Sequence, residues 1–369
     1  MRSPVVALVT AVMFAAMLPL SAFAGEGLSV VVESVPALLE SLTIAFTDWA
    51  AIKAEVGTPG LTSDAPLDDR TAFARHVDAD HAAGSTFALS RLSVHAEAWG
   101  FDTTDLEWEA QITAHGTPST FILKLRDDFD MSVFVGRLDE RGFARIQSYG
   151  EAIYWRAIDP VLAWVRTTEL AIHNTAVLAA ERLLILSSAY SMVELLLATR
   201  ASGFPRLSEN PSVATLVGQF ESAFGAYLLI GSSTCLRFTP NPLLDLIGTS
   251  LGEAALDSLR AWLDSGEPLY GYAGLAVGYR HERGEPIGTI AFVYPNAADA
   301  AHDFEARVLL AESGGSAHYE APVSESYFTL EGASIDGRMI LLTVRPVNGQ
   351  PRRLFQMLIY ADAPFAGCR

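Results

Sequence analysis

Positive charge is scarce in this chain. Lysine and arginine together number 25 of the 369 residues, against 43 aspartates and glutamates, and the formal net charge is −18. Nucleic acids and anionic membrane surfaces are bound through clustered Lys and Arg, and the acidic excess here works against both. We therefore expect no nucleic-acid partner. The acidic residues are spread along the sequence and indicate a solvated acidic surface.

Cysteine is equally scarce, with Cys235 and Cys368 as the only two. Two cysteines so far apart form neither a C-x-x-C redox motif nor a zinc cluster. In an exported protein an even count is compatible with one disulfide, here Cys235–Cys368. Two unpaired thiols are the alternative.

Only one long apolar run is present, and it opens the sequence as "MRSPVVALVTAVMFAAMLPLSAFAGEG". Arg2 supplies the positive charge, an apolar stretch follows, and Ala22-Phe23-Ala24 has the form of a cleavage site. Residues 1–24 are therefore predicted to be a signal peptide, which gives a secreted or cell-envelope protein with no membrane span after cleavage. An uncleaved anchor is the alternative, because about 20 apolar residues can cross a bilayer.

Charged residues make up only 18% of the chain and hydrophobic residues 50%, so a large core is expected. The order strand, helix, hairpin, helix, strands occurs twice. This predicts an α+β protein of two halves, 25–205 and 206–369, each a mostly antiparallel sheet with helices packed on it. Internal duplication explains the order, and one mixed sheet with a coincidental order is the alternative.

Local patterns place several elements. Alternation over 41–48 predicts a strand, with Asp48 as the N-cap of the helix that follows. Residues 105–125 predict a β-hairpin in which Leu106 and Trp108 share the apolar face, while Glu107 and Glu109 lie on the solvent-exposed face. Residues 126–142 are predicted to be a helix with acidic residues in its first turn, and Asn296 is the expected cap of another helix. The stretch "RRLFQMLIYAD" is predicted to be a strand.

Three stretches, "LTIAFTDWAAIKAEVG", "WGFDTTDLEWEAQI" and "AVLAAERLLILSSAYSMVELLLA", carry a family resemblance. The chain resembles a group of exported bacterial proteins of unknown function, in which a "TDWA" strand–helix start precedes a "D-L-x-W-E" hairpin and a later cysteine follows a strand, as Cys235 does here. The resemblance covers roughly residues 40–240. It implies an extracytoplasmic α+β fold and transfers no catalytic residue.

The densest group of potential metal ligands is "ARHVDADHAAG". His76 and Asp80 are four residues apart, on one face if the segment is helical, and His81 is next along the chain. The spacing matches neither H-E-x-x-H nor an EF-hand loop. A solvated acidic helix end is one interpretation, and a metal site of His76, Asp80 and His81 is the other.

No catalytic residue is assigned from the sequence. The glycines of "AESGGSAH" follow a helix, where a turn explains them better than a phosphate loop does. No cofactor is predicted, and the balance favours a protein that is not an enzyme.

Aromatic residues are the remaining lead. Trp99 and Trp108 lie close together in the sequence, and Tyr154 and Trp155 follow in a strand. Aromatic side chains exposed on a sheet can hold small molecules, and ordinary core packing is the alternative. Tyr270, Tyr272 and Tyr279 repeat the theme in the second half.

Two functions follow from these patterns. The first is an exported, non-catalytic envelope protein that binds a small molecule or an envelope protein in a cleft between the halves. The second is an extracytoplasmic hydrolase, assisted by a metal near residues 76–81.

Overall fold

Twelve strands form one antiparallel sheet that runs through both halves of the chain. The computed structural model describes residues 26–39, 41–80, 92–157, 172–231, 234–237, 269–316 and 318–368. Helices cover both faces of this sheet, and the α+β class predicted from the sequence is confirmed.

The helices of the described residues follow in chain order: α1 Glu26–Ser34, α2 Trp49–Glu55, α3 Leu67–Asp80, α4 Leu92–Trp99, α5 Met131–Glu140, α6 Tyr190–Ser202, α7 Pro211–Gln219, α8 Ala297–Ser313, α9 Val323–Ser326 and α10 Arg352–Ile359. The strands are β1 Ser41–Asp48, β2 Leu106–Ala114, β3 Thr120–Leu125, β4 Ala144–Ser148, β5 Glu151–Trp155, β6 Asn174–Leu178, β7 Leu183–Ser187, β8 Gly225–Gly231, β9 Leu236–Arg237, β10 Gly274–Glu282, β11 Glu285–Val293, β12 Gly315–Ser316, β13 Ala321–Pro322, β14 Phe328–Asp336, β15 Met339–Pro346 and β16 Gly367–Cys368.

Three helix starts follow from local sequence. Asp48 ends β1 and accepts a hydrogen bond from the Ala51 amide at 2.8 Å, as an N-cap of α2 does. Asp130 caps α5, and Asn296 caps α8 by accepting from the Asp299 amide at 2.9 Å. The predicted caps Asp48 and Asn296 are confirmed.

The strand order is β14-β15-β11-β10-β8-β1-β2-β3-β7-β6-β5-β4. Side chains alternate between the two faces along each strand. On the first face, α1, α6 and α7 pack over apolar side chains from both halves and form one continuous core. This shared core joins the halves.

The second face carries two separate apolar cores. One packs α2, α3, α4 and α5 against strands of the first half. The other packs α8, α9 and α10 against strands of the second half. Between these two cores lie β8, β1 and β2, the central strands of the sheet.

The two halves repeat one order of elements about the pair β1–β8. A first-face helix precedes each of these strands (α1 and α7), a hairpin follows, and a second-face helix comes next (α5 and α8). Ile44 pairs with Leu228 across the junction, and the hairpins attach in the same register, with Ile44 opposite Ile112 and Leu228 opposite Ala276. Duplication, and the division into two domains at 205/206, stay predictions.

One predicted element is wrong. Arg352–Ile359, expected to be a strand, is helix α10. Leu354, Phe355, Met357 and Leu358 are buried, and this i, i+1, i+3, i+4 spacing places them on one helix face against the second-half core.

The predicted disulfide is confirmed: Cys235 and Cys368 are bonded, with their Cα atoms 5.3 Å apart. It closes a sequence separation of 133 residues and lies beside the parallel pair β9–β16. No helix in the described residues is long and apolar enough to cross a membrane. The apolar run at the N-terminus lies outside those residues, so the signal peptide stays a prediction.

Arg307 of α8 connects the C-terminal segment, defined here as residues 364–368, to the second-half core by hydrogen bonds. Its guanidinium is fully buried and donates to the carbonyls of Phe365 (2.7 Å) and Gly367 (2.5 Å) and to the hydroxyl of Tyr294 (2.9 Å). Asp303, also fully buried, supplies the counter-charge at 3.2 Å. Buried charges with this many partners hold structure together.

Candidate functional site

On the second face, the central strands of the sheet carry polar side chains. These side chains lie between the two apolar cores of that face. We call Thr43, Gln111, Thr113, Ser119 and Tyr227 the polar strip. All five are partly exposed. Alternation explains their side of the sheet, because the residues between them on β1, β2 and β8 belong to the first-face core.

Hydrogen bonds organise the polar strip. The Gln111 amide donates to the Ser119 hydroxyl at 3.0 Å, and the Thr113 hydroxyl lies 3.0 Å from the same oxygen. Thr43 is opposite Thr113 in register and hydrogen-bonds Tyr227 through its side chain. Burial raises the pKa of Tyr227, so its phenol stays protonated and able to donate near neutral pH.

The second half has apolar residues at the positions that match Gln111 and Thr113 of the polar strip. Counting from the Ile112 and Ala276 positions, Gln111 and Thr113 of β2 match Leu275 and Val277 of β10. Leu275 and Val277 are fully buried under the second-half helices. The fold therefore accepts apolar residues at these places, and the polar ones in β2 need another explanation.

Towards α2 the second face becomes fully buried. Thr47 and Glu109 pair in register and neither side chain reaches solvent. Glu109 was expected on the exposed face of the hairpin, and that expectation is wrong, because α2 packs against this end of β2. Glu107 is partly exposed.

A buried ionic network lies beside α2. Asp102 accepts from Arg70 at 2.5 Å and from the Thr104 amide at 2.8 Å. Asp105 accepts from Arg126 at 3.3 Å, and Lys53 donates to the Thr104 carbonyl at 2.7 Å. Asp102 and Asp105 belong to the motif "DTTD" at residues 102–105, which thus connects α2 and α3 to the start of β2. Each of the two carboxylates has hydrogen-bond partners that explain its burial.

Two groups beside this network titrate near neutrality. Burial raises the pKa of Asp48 to about 6, with a further push from Glu107, against the hydrogen bond from Ala51. Burial lowers the pKa of Lys53 to about 8, against the attraction of Asp105 and Glu107. Perturbed pKa values of this kind occur at catalytic sites and in structural networks. Asp48 also caps helix α2 and Lys53 also donates to a carbonyl, so both groups have structural contacts.

The structure describes two of the three predicted metal ligands. His76 lies on the exposed side of α3, and Asp80 is the last residue of that helix. His81 lies outside the described residues. Among the residues that are described, no group of three or more His, Cys, Asp and Glu is placed to hold a metal ion. The metal site stays a prediction.

The predicted aromatic residues are not brought together. Trp99 and Tyr154 are buried in the first-half core of the second face, where the Arg141 guanidinium lies 4.5 Å from the Trp99 ring. Trp108 is buried on the first face, 6.1 Å from Phe46. Trp155 is 41% exposed. Their ligand-binding role stays a prediction.

The aromatic residues of the second half divide in a similar way. Tyr272 and Tyr279 are buried in the second-half core, while Tyr270 is 42% exposed. Core packing accounts for the first two.

Sequence reasoning missed the polar strip. The alternation in β2 did mark Gln111 and Thr113 as one polar face, but the meeting of that face with Thr43 and Tyr227 depends on strands distant in the sequence. Comparing the two hairpins position by position is the signal that could have found it.

Comparisons with known proteins give little further. No family model matches the chain, and no curated protein matches it. Among solved structures, crystal form I of TP0453 aligns with a TM-score of 0.38 and 10% identity over 89% of this chain and 97% of that one. Crystal form III of TP0453 aligns with a TM-score of 0.40 and 9% identity over 89% and 96%.

Proposed function

We propose that this chain is an exported, non-catalytic protein of the bacterial cell envelope that binds a ligand or protein partner over the polar strip. One observation carries the proposal: partly exposed polar side chains stand between two apolar cores, at positions where the second half has Leu275 and Val277. Ligand sites combine an apolar surround with a few placed polar groups. Binding is the reason that we propose for polar residues at these positions.

The cellular location rests on two supports. The N-terminal sequence has the regions of a signal peptide, and the Cys235–Cys368 disulfide fits an oxidising compartment outside the cytoplasm. Of the predicted aromatic ligand contacts, Trp155 is the one most open to solvent. It lies on β5, four strands from β2, and on the first face beside Ile153, so it is not part of a site over the polar strip.

The test of binding is a double substitution, Gln111→Leu with Thr113→Val, which installs the apolar pair of the second half. Thr343→Val, at an exposed position of β15, is the matched control. Saturation-transfer NMR would be recorded with maltotetraose, tetra-alanine and dodecanoate as separate probes. We expect at least one probe to bind the mature wild-type protein and the control, and the signal to be lost in the double variant.

Circular dichroism and a urea melt must show that the double variant is folded. If no probe binds the wild type, or if the double variant binds a probe as the wild type does, the polar strip is not the binding site and the proposal fails.

The second candidate function is hydrolysis, and the raised pKa of Asp48 beside Glu107 favours it. A carboxyl with a pKa of about 6 can act as a general acid near neutral pH. Hydrolysis of p-nitrophenyl glucoside or p-nitrophenyl acetate by the wild type, lost in Asp48→Asn, would support an enzyme. Activity lost with EDTA, and in His76→Ala or His81→Ala, would assign a metal-assisted one.

A further inference from the structure

We infer that the polar strip takes an uncharged ligand rich in hydroxyl groups, and that a saccharide is the chemical class it fits. This rests on the proposed function of the same site. The inference begins with the groups that the strip presents: hydroxyls from Thr43, Thr113, Ser119 and Tyr227, and the amide of Gln111. Hydroxyls both donate and accept, and an amide does each through a separate atom.

The pattern of donors and acceptors decides the ligand class. None of the five side chains carries a formal charge, and the nearest carboxylate on the same face of β2, Glu109, is fully buried. An ionic ligand would lose its hydration without gaining a counter-charge from these five side chains, which is unfavourable. A neutral ligand with hydroxyl groups can both donate hydrogen bonds to the strip and accept hydrogen bonds from it.

The dimensions agree with a short saccharide. The strip spans β8, β1, β2 and, through Ser119, the start of β3, a width of roughly 14 Å from three inter-strand spacings. Along each strand, successive residues of one face are about 7 Å apart. The area suits one or two linked sugar rings and is small for a folded partner, whose interface needs about 800 Å² on each side.

An apolar side chain borders the strip on each side. Phe121 is opposite Gln111 in register and is partly exposed, while Leu229, opposite Thr43, is buried at the edge of the second-half core. Aromatic rings offer a flat apolar surface with definite geometry. A sugar ring has one apolar C–H face and a rim of hydroxyls. The C–H face can pack on Phe121, and the hydroxyls can hydrogen-bond to the polar strip.

The charge of the whole protein also selects against anions. A formal net charge of −18 repels them at long range. Binding of a neutral saccharide should by contrast be independent of salt, because screening acts only on charges.

The experiment titrates maltotetraose and chitotetraose into the full mature protein, by saturation-transfer NMR, in 0.05 M and 0.5 M NaCl. We expect binding of equal strength at both salt concentrations. Tyr227→Phe, which removes one hydroxyl and keeps the ring, should weaken it about five- to tenfold, the effect of one lost hydrogen bond. Tyr149→Phe, at an exposed turn, should leave it unchanged.

The outcomes separate the two proposals. Binding of tetra-alanine or dodecanoate but of neither saccharide, lost in the Gln111→Leu/Thr113→Val variant, overturns the ligand class and leaves the binding site standing. Saccharide binding that weakens tenfold or more at high salt, or that Tyr227→Phe does not change, also overturns the inference. Failure of every probe overturns the proposed function as well.

Discussion

The carboxyl group of Asp48 is subject to two opposing effects. Burial penalises its charged form, while the amide of Ala51 stabilises that form by hydrogen bonding, and burial prevails with a pKa of about 6. The ordinary value is 3.8. Because the folded state holds this proton more tightly than the unfolded chain does, the contribution to stability is full below pH 3.8 and is lost as the pH rises through 6.

We therefore expect Asp48→Asn to flatten the pH dependence of stability between pH 4 and 7. Asparagine keeps the helix cap and has no proton to lose. The quantity to measure is the free energy of unfolding of the variant minus that of the wild type, from urea melts. This difference should rise on the order of 2–3 kcal/mol from pH 4 to pH 7.

Asp130→Asn is the control, because Asp130 caps α5 while exposed and hydrogen bonds from Ser132 lower its pKa. A lowered pKa stabilises the folded state above the ordinary value, so this variant should lose stability relative to wild type as the pH rises from 2 to 5. Shifts of the same sign in both variants would contradict the account of Asp48.

Among the elements, the hairpin β2–β3 shows how far strand periodicity predicts structure. Alternation correctly assigned Trp108 and Ile112 to one face and Gln111 to the other. It placed Leu106 wrongly, because an irregularity in the pairing between Leu106 and Trp108 turns Leu106 to the second face. It also missed the burial of Glu109, which depends on a helix that packs from elsewhere.

Helix α10 shows a second limit. A short apolar run such as "LFQMLI" fits a buried strand as well as one face of a helix. What decides is the contact of Leu354 and Met357 with the second-half core, which is formed by distant strands. The polar strip lay beyond reach for the same reason, since it needs β8, β1 and β2 side by side.

The C-terminal segment gives a prediction about Arg307. A lysine there keeps the charge next to Asp303 but cannot donate to the carbonyls of Phe365 and Gly367 and the hydroxyl of Tyr294 together. We expect Arg307→Lys to lower the free energy of unfolding by about 3–5 kcal/mol, the usual loss when a buried charged network is broken.

Arg280→Lys is the comparison for this measurement, because Arg280 forms an exposed pair with Glu282. Its change should stay within about 0.5 kcal/mol. A loss for Arg307→Lys no larger than that of Arg280→Lys would mean that the buried contacts do not hold the segment.

For the molecule as a whole, the continuous sheet and the shared first-face core couple the two halves. We expect heat unfolding to occur in one cooperative transition, with equal calorimetric and van't Hoff enthalpies. Two separated transitions would instead show that residues 25–205 and 206–369 unfold as independent domains.

Besides the continuous sheet, the disulfide also stabilises the molecule as a whole. Closing a separation of 133 residues restricts the unfolded state, and its removal by Cys235→Ser with Cys368→Ser should cost about 2–5 kcal/mol. Dithiothreitol should destabilise the wild type by the same amount and leave the double variant unaffected. Two free thiols titrating in the denatured, unreduced wild type would rule the bond out.

The position of β1 affects how the protein must be made. β1 lies between β2 and β8, and its partner β8 begins 177 residues after β1 ends, at Gly225 after Asp48. While the chain is being synthesised, one edge of β1 is therefore without its native neighbour and is open to pairing with another nascent chain. We expect folding to depend on chaperones, most strongly for the newly made first half.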